Sequence, residues 1–163
     1  MWHELKEEIE LELAMLKKHL SDCSPLRKIT LSRPPDHIES MALGAMLHAF
    51  YNGIENIFKR IALHCDNGEP RGQTWHRQLL NSMAKTGQAR PAVISEAFLN
   101  VLKNYLDFRH FFRQAYGFQI KWEKMASLVQ ECEKALSELE NELFEFLVKI
   151  QPEEQSQQPD DPI

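Results

Sequence analysis

The feature that most constrains the fold is a set of large side chains that recurs at helical spacing near the middle of the chain. Its members are Phe98, Leu102, Tyr105, Arg109, Phe112 and Tyr116. Steps of four and three residues keep such positions on one face of an α-helix. Glycine is scarce, with six in 163 residues, and helical periodicity extends over long stretches. The sequence therefore predicts an all-α fold.

Arg109 is the exception on this face, because it stands where a leucine would be expected. An unpaired guanidinium is costly to bury, so Arg109 must pair inside the fold or face a cleft. Arg113 follows one turn later, and Tyr116 two turns later, on roughly the same side. His110 and Gln114 form a second row on this helix. We therefore expect a polar site at the edge of the core.

Apolar periodicity and capping residues divide the chain into four long helices and one short helix. Their ranges are 3–20, 36–63, 75–83, 95–117 and 122–150. Asp36 and Ser95 suit helix N-caps, and Gly117 suits a left-handed C-terminal residue. We expect an up-and-down bundle forming one domain over 1–150, with the last helix packed on the first as in a coiled coil. From 151 to 163, Gln, Pro, Glu and Asp predict a disordered acidic tail.

Composition limits the classes of function that the chain can serve. The net charge is −5 and the pI near 5.8, so RNA binding would require a local basic patch, and the middle of the chain is the most basic part. The three cysteines are odd in number and lack metal-type spacing. The N-terminus has no signal-peptide character, and no apolar run approaches the roughly 20 residues of a membrane span. We expect a cytoplasmic protein with no metal or other cofactor.

The residues near the end of the long central helix suit chemistry on a phosphate. Arg109 and Arg113 can hold one anionic group by charge-assisted hydrogen bonds. The Tyr116 hydroxyl can orient a phosphate or an attacking hydroxyl, and His110 can carry a proton near neutral pH. A ribonuclease without metal needs a base, an acid and such cations. The same residue types also form structural ion-pair networks, so the residues alone leave both interpretations open.

The short helix offers a second polar contribution. In one interpretation, His76 and Arg77 bind phosphate beside Arg109. In the other, the segment only anchors Trp75, and its leucines pack inward. For His76 the packing interpretation is favoured. His48 and His64 are interpreted as core-edge or surface residues, because they lack a ligand-spaced carboxylate or cysteine.

The stretch from Arg109 to Tyr116 resembles the signature of the HepT-like members of the HEPN superfamily. That signature is an arginine, a spacer of about four to six residues, a histidine, one residue and a tyrosine. Arg109 and Tyr116 take the first and last positions here, and Gln114 takes the position of the histidine. Further similarity to one branch of the family lies in residues 108–117, Trp75-His76 and Arg90-Pro91, within a resemblance spanning 36–148.

The resemblance implies a small, helical, commonly dimeric ribonuclease toxin that cleaves RNA without metal. Its partner would be a small nucleotidyltransferase antitoxin, which in some pairs adds AMP to the motif tyrosine, here Tyr116. Arg109, Gln114 and Tyr116 would occupy the catalytic positions, and Arg109 and Arg113 would bind the scissile phosphate. Glutamine cannot transfer a proton near neutral pH, so the substitution would weaken or abolish cleavage. His110 is a poor replacement, since it points about 100° away from Arg109 on an ideal helix.

Three functions of different classes therefore remain after the sequence is read. The first is a metal-independent endoribonuclease toxin. The second is an inactive binding module for nucleotide, RNA or a nucleotidyltransferase. The third is a helical adaptor in which Arg109 is sealed in an internal ion pair. The surroundings of Arg109 separate the third function from the first two.

Overall fold

A computed structural model describes residues 1–151, and it contains six α-helices and one short 3-10 helix. The elements are α1 (Trp2–Asp22), α2 (Ser24–Ile29), α3 (His37–Cys65), α4 (Trp75–Met83), α5 (Glu96–Gln114), the 3-10 helix (Gly117–Gln119) and α6 (Trp122–Ile150). This part of the chain contains no β-strand, so the predicted all-α bundle is confirmed. Apart from Gln151, the predicted acidic tail over 151–163 lies outside the described residues. The assignment of one domain to 1–150 stays a prediction.

The predicted N-caps of α3 and α5 are confirmed. At the start of α3, the Asp36 carboxylate accepts the Glu39 N–H at 2.8 Å, and the Glu39 carboxylate accepts the Asp36 N–H at 2.9 Å. At the start of α5, the Ser95 hydroxyl accepts the N–H three residues on and donates to Glu142 on α6 at 2.6 Å. Both caps satisfy amide groups that a helix leaves free at its first turn.

Helix α3 lies at the centre of the bundle and packs against α1, α4, α5 and α6. Its buried side chains include Phe50, Tyr51, Ile54 and Phe58, each with no exposed surface. The broad apolar face of this helix is therefore shared among several neighbours, because a single partner helix would cover only a narrow stripe.

Helices α1 and α3 run antiparallel, with Leu16 of α1 against Gly53 and Glu8 bonded to His64 at 3.1 Å. Helix α1 also contacts α6, where Lys17 donates to Glu140 at 2.6 Å. The contact between the first and last helices is thus present, but α1 packs more extensively against α3.

The connection predicted over 21–35 contains an additional helix, α2. Its six residues bury no side chain fully, so it carries no apolar periodicity to recognise. Arg27 donates to the Leu20 carbonyl and to Glu133, and Arg33 donates to both carboxylate oxygens of Glu39. The hydrogen bonds of Arg33, followed by that of the Asp36 amide, lower the pKa of Glu39 to about 2.

The predicted end of α5 at Gly117 is wrong. The helix ends at Gln114, and Ala115 is extended, with φ −78° and ψ 140°. Gly117 does not have a positive φ. Instead, the Gln119 side chain accepts the Tyr116 N–H at 2.8 Å and the Tyr116 carbonyl accepts the Gln119 N–H at 2.9 Å, which closes the turn without a left-handed residue.

We predict that Gly53→Ala destabilises the protein despite the higher helix propensity of alanine. A Cβ at Gly53 would clash with Leu16, whose side chain is buried, because the two would be closer than van der Waals contact allows. The free energy of unfolding should fall by about 1–3 kcal/mol in urea titrations, as in other overpacked cores. In a Leu16→Ala background the same change should be neutral or stabilising by up to about 1 kcal/mol. Stabilisation of the wild-type background by Gly53→Ala would contradict this packing.

Candidate functional site

Arg109 is half-buried on α5, and one edge of its guanidinium is held by α3. Its Nε donates to Asn52 Oδ1 at 2.6 Å. Within residues 1–151 it forms no ion pair, and its two terminal nitrogens make no hydrogen bond. Neither terminal nitrogen is buried, so both reach solvent. The sealed ion pair required by the adaptor hypothesis is therefore absent from the described structure.

The hydrogen bond to Arg109 also orients Asn52 and, through it, His48. Because Asn52 Oδ1 accepts from Arg109, its Nδ2 faces His48 Nδ1, at 3.3 Å. His48 Nδ1 must then accept, which leaves the ring proton on Nε2, a buried atom that finds no partner in residues 1–151. Burial, followed by the charges of Arg109 and Arg113, lowers the pKa of His48. A neutral imidazole therefore lies beside the two arginines, although the sequence placed His48 outside the site.

Phe112 holds His48 in place from α5, with ring centroids 5.4 Å apart. The close approach of α3 and α5 here depends on Gly44, because a Cβ at that position would lie 2.8 Å from the Phe112 ring. Phe112 belongs to the apolar face from which the helix was predicted. The face that carries Arg109 is thus packed directly onto α3.

A second polar cluster lies one to two turns further along α3. Glu55 is 3% exposed, and its Oε2 lies 2.7 Å from His76 Nδ1 on α4. The Tyr51 hydroxyl is buried and has no hydrogen-bond partner within the described residues. Its pKa is raised far above the ordinary value by burial and then by the Glu55 carboxylate, an effect opposed by the charges of Arg109 and Arg77. Those two arginines therefore act on the same buried hydroxyl.

Arg77 connects α4 to α5 by an ion pair with Asp107, at 2.7 Å, two residues before Arg109. Trp75 stacks on His76 with ring centroids 3.6 Å apart, and Lys59 lies 4.6 Å from the Trp75 ring. Leu79, Leu80 and Met83 are buried. The apolar residues of the short helix therefore pack inward, and Arg77 joins it to α5. The phosphate-binding role of His76 and Arg77 stays a prediction.

The end of α5 is open to solvent. His110, Arg113 and Gln114 are exposed, and the side chains of His110 and Gln114 make no hydrogen bond within residues 1–151. Tyr116 lies beyond the helix, 72% exposed, so its predicted place on the helical face of Arg109 is wrong. Its ring is stacked on Phe118, which is also 72% exposed, with centroids 5.7 Å apart and an interplanar angle of 3°.

Phe118 is a residue that the sequence analysis missed, because a lone aromatic in a turn has no periodic signal. His48, Asn52 and Glu55 were also missed. Their spacing of four and three places them on one side of α3, which is the signal that could have identified them. By contrast, Arg90 of the similar Arg90-Pro91 pair is buried in a two-point ion pair with Asp66 and belongs to the framework.

The site lies in a locally basic segment, although the chain as a whole is acidic. Residues 109–124 contain four arginine or lysine residues and one glutamate. Lys124 lies 4.8 Å from the centroid of the Phe111 ring, on the flank of α5. Among residues 1–151, no group of three or more His, Cys, Asp or Glu side chains is arranged to hold a metal ion. None of the helices described has the length and apolarity of a membrane span.

Fold and site together define an all-helical bundle with an arginine-rich polar site at the end of α5. A family model described as HepT-like protein matches residues 42–150, from the first turns of α3 to the end of α6. The match covers more than half of the chain and includes Arg109 to Tyr116, so this chain belongs to the HepT-like family. Searches of curated proteins and of solved structures gave no match.

We predict that His48→Gln reduces the loss of stability on acidification. The lowered pKa of His48 means that the unfolded chain binds its proton at higher pH than the folded chain does. Acidification through the ordinary histidine value of about 6.5 therefore favours unfolding. Urea unfolding between pH 7 and pH 5.5 should show a smaller decrease for His48→Gln than for wild type. His3→Gln, at an 85% exposed side chain, is the matched control and should follow wild type. An equal or larger decrease in His48→Gln would contradict the assignment.

Proposed function

We propose that this HepT-like protein is the toxin of a toxin–antitoxin pair and acts as a metal-independent endoribonuclease. The observation that carries the proposal is the open guanidinium of Arg109, held at one edge by Asn52 and flanked by Arg113. Two adjacent arginines can hold a phosphate by several charge-assisted hydrogen bonds. The site extends from this pair toward RNA through Gln114, Tyr116, His110, His76 and Arg77.

The arrangement of Arg109 favours binding in the required geometry. Its Nε is fixed by a 2.6 Å hydrogen bond, so the guanidinium plane is oriented before a ligand arrives. Side chains locked in this way lose little conformational freedom on binding. Arg113 is exposed one turn further on and adds a second cation with freedom to adjust. His110 and Arg77 supply weaker contacts at the sides, the latter while paired with Asp107.

The exposed Tyr116–Phe118 pair supports single-stranded RNA as the substrate class. Stacking on exposed aromatic rings beside a basic groove is a common way to bind unpaired bases. Tyr116 also suits a second role in this proposal. Its exposure would let a nucleotidyltransferase antitoxin add AMP to its hydroxyl, and the added phosphate would compete with RNA for Arg113.

The alternative is an inactive binding module for nucleotide, RNA or the nucleotidyltransferase partner. The specific observation that favours it is Gln114, which the resemblance puts in the position of the motif histidine. Gln114 is exposed at the end of α5 and can donate and accept hydrogen bonds but cannot carry a proton. Both proposals use the same arginine pair, so they differ only in turnover.

We further propose that the protein works as a cytoplasmic homodimer. Support comes from the exposed apolar residues Ile38 and Met41 near the start of α3, 78% and 43% exposed. Met41 adjoins Gly117, in the turn that carries the stacked aromatic pair. A second copy covering this surface would adjoin the arginine site. The free thiols of Cys23, Cys65 and Cys132 fit a reducing compartment.

We predict that purified protein cleaves single-stranded RNA in the presence of EDTA and that Arg109→Ala lowers the rate by about 10²-fold. Loss of one preorganised donor to a developing oxyanion has an effect of about this size. The assay follows a 5′-labelled oligoribonucleotide. Arg71→Ala is the control, because Arg71 is an exposed arginine in the loop before α4 and lies outside the site. Equal activity of the Arg109→Ala and Arg71→Ala proteins would contradict the role of Arg109.

Gln114→His, tested beside wild type, separates the two proposed functions. Cleavage by wild type supports the nuclease, and a faster Gln114→His protein supports the place of Gln114 in the motif. Cleavage by Gln114→His alone would favour the inactive binding module. If neither protein cleaves RNA, the nuclease proposal is wrong.

We also predict that Phe118→Ala weakens binding of single-stranded RNA, while Phe144→Ala does not. Loss of one stacked base costs about 1–3 kcal/mol, which raises Kd about 5- to 150-fold. Phe144 is a matched control, since it is a 68% exposed phenylalanine on α6. Fluorescence anisotropy in EDTA with a labelled oligonucleotide gives both values. Equal effects of the two substitutions would exclude the stacked pair as a binding surface.

A further inference from the structure

The pair formed by Glu55 and His76 has a geometry that packing alone does not require. Glu55 is 3% exposed, and its carboxylate has one side-chain partner within residues 1–151, His76 Nδ1 at 2.7 Å. The His76 side chain is 22% exposed. His76 Nε2 makes no hydrogen bond in this part of the chain, and it is not among the buried atoms without a partner. One ring nitrogen therefore faces a buried carboxylate, and the other faces solvent.

We propose that His76, oriented by Glu55, is the catalytic residue that takes the proton from the ribose 2′-hydroxyl during RNA cleavage. This inference rests on the proposed nuclease function and assigns the proton acceptor that Gln114 cannot supply. A carboxylate on Nδ1 keeps the ring proton there and leaves the Nε2 lone pair free. It also stabilises the imidazolium that forms when Nε2 accepts a proton. Glu55 is thus a positioning residue.

The chemical step that follows is a transesterification. His76 Nε2 accepts the proton of the 2′-hydroxyl, and the 2′-oxygen forms a bond to the adjacent phosphorus. The bond from phosphorus to the 5′-oxygen of the next nucleotide breaks, and this oxygen takes a proton from water. Arg109 and Arg113 stabilise the additional negative charge on the phosphorane. The products are a 2′,3′-cyclic phosphate and a 5′-hydroxyl, after which the imidazolium returns its proton to solvent.

The other histidines near the arginines lack this combination. His48 Nδ1 accepts from Asn52, and His48 Nε2 is buried, so neither nitrogen is available to a ligand. His110 is exposed, but no carboxylate within residues 1–151 orients its ring. Of these three, His76 alone has an orienting carboxylate on one nitrogen and solvent on the other.

The charged and titratable groups around His76 come from three helices. Helix α3 contributes Glu55, the buried Tyr51 hydroxyl and Lys59, whose ammonium lies over Trp75. Helix α4 contributes Arg77, which is paired with Asp107 of α5. Arg109 of α5 acts on the same Tyr51 hydroxyl as Glu55 does. The proposed base is therefore linked to α5 through its neighbour Arg77, which pairs with Asp107 two residues before the phosphate-binding arginine.

The test compares pH–rate profiles for cleavage of single-stranded RNA by wild type, His76→Gln and Glu55→Gln in EDTA. Glutamine at 76 can still donate to Glu55, so the buried carboxylate keeps a partner. His76→Gln should lower the rate at pH 7 by about 10²-fold or more and remove the acidic limb of the profile. Glu55→Gln should cause a smaller loss and move that limb to lower pH, because the imidazolium loses its counter-charge. KM should change little in either protein.

The matched control is His64→Gln. His64 also pairs with a carboxylate, Glu8, at 3.1 Å, but on the α1 side of α3. Its rate and pH profile should equal those of wild type, and thermal unfolding should show that all variants are folded. Nitrogen-15 NMR of the imidazole gives a readout independent of activity. In the neutral ring of wild-type His76 the proton should be on Nδ1, and the opposite tautomer would overturn the proposal.

The outcomes distinguish this inference from the function on which it rests. If wild type cleaves RNA and Arg109→Ala does not, but His76→Gln retains the wild-type rate and profile, the inference is wrong and the nuclease stands. If only Gln114→His cleaves RNA, His76 does not replace the missing histidine, and the inference is also wrong. If neither protein cleaves RNA, both proposals fail. If His76→Gln loses the acidic limb of its pH–rate profile and His64→Gln keeps it, the role of His76 as the base is supported.

Discussion

The hydrogen bond from Arg109 Nε to Asn52 Oδ1 is the interaction on which the rest of the site depends. It satisfies one edge of a half-buried guanidinium with a neutral partner, so the positive charge is retained rather than cancelled. An aspartate in place of Asn52 would neutralise the charge of Arg109 inside the fold. Through the same amide, the bond sets the tautomer of His48 and keeps a neutral ring beside two cations. One contact between α3 and α5 thus determines both the orientation and the charge of the site.

Helix α3 performs two tasks that oppose one another. Its apolar side chains hold the neighbouring helices together, whereas a polar row on the same helix carries Asn52 and the buried Glu55. A buried carboxylate and a buried hydroxyl without a partner both reduce stability. Polar groups placed in this way are expected at functional sites, where local rules of stability are broken and the surrounding core compensates. The packing of α3 on α1, with Leu16 seated at Gly53, is part of that compensation.

The sequence predicts the long helices because their signals are local. Asp36 and Ser95 mark helix starts, and apolar residues at steps of three and four mark the buried faces. Helix α2 escaped prediction because six residues without a buried side chain carry no such pattern. The partner of Arg109 was not predictable, since Asn52 lies 57 positions away and only the tertiary fold brings the two together. The end of α5 was misplaced because apolar spacing continues to Tyr116, whereas Gln119 closes a turn at that point.

The most direct measurement is a crystal structure with a single-stranded oligonucleotide whose scissile ribose lacks the 2′-hydroxyl, so that it binds without being cleaved. We expect a backbone phosphate within hydrogen-bond distance of both terminal nitrogens of Arg109, with the bond from Nε to Asn52 retained. A complex in which the RNA lies elsewhere, or in which Arg109 turns to a carboxylate of its own chain, would show that Arg109 does not bind the RNA backbone.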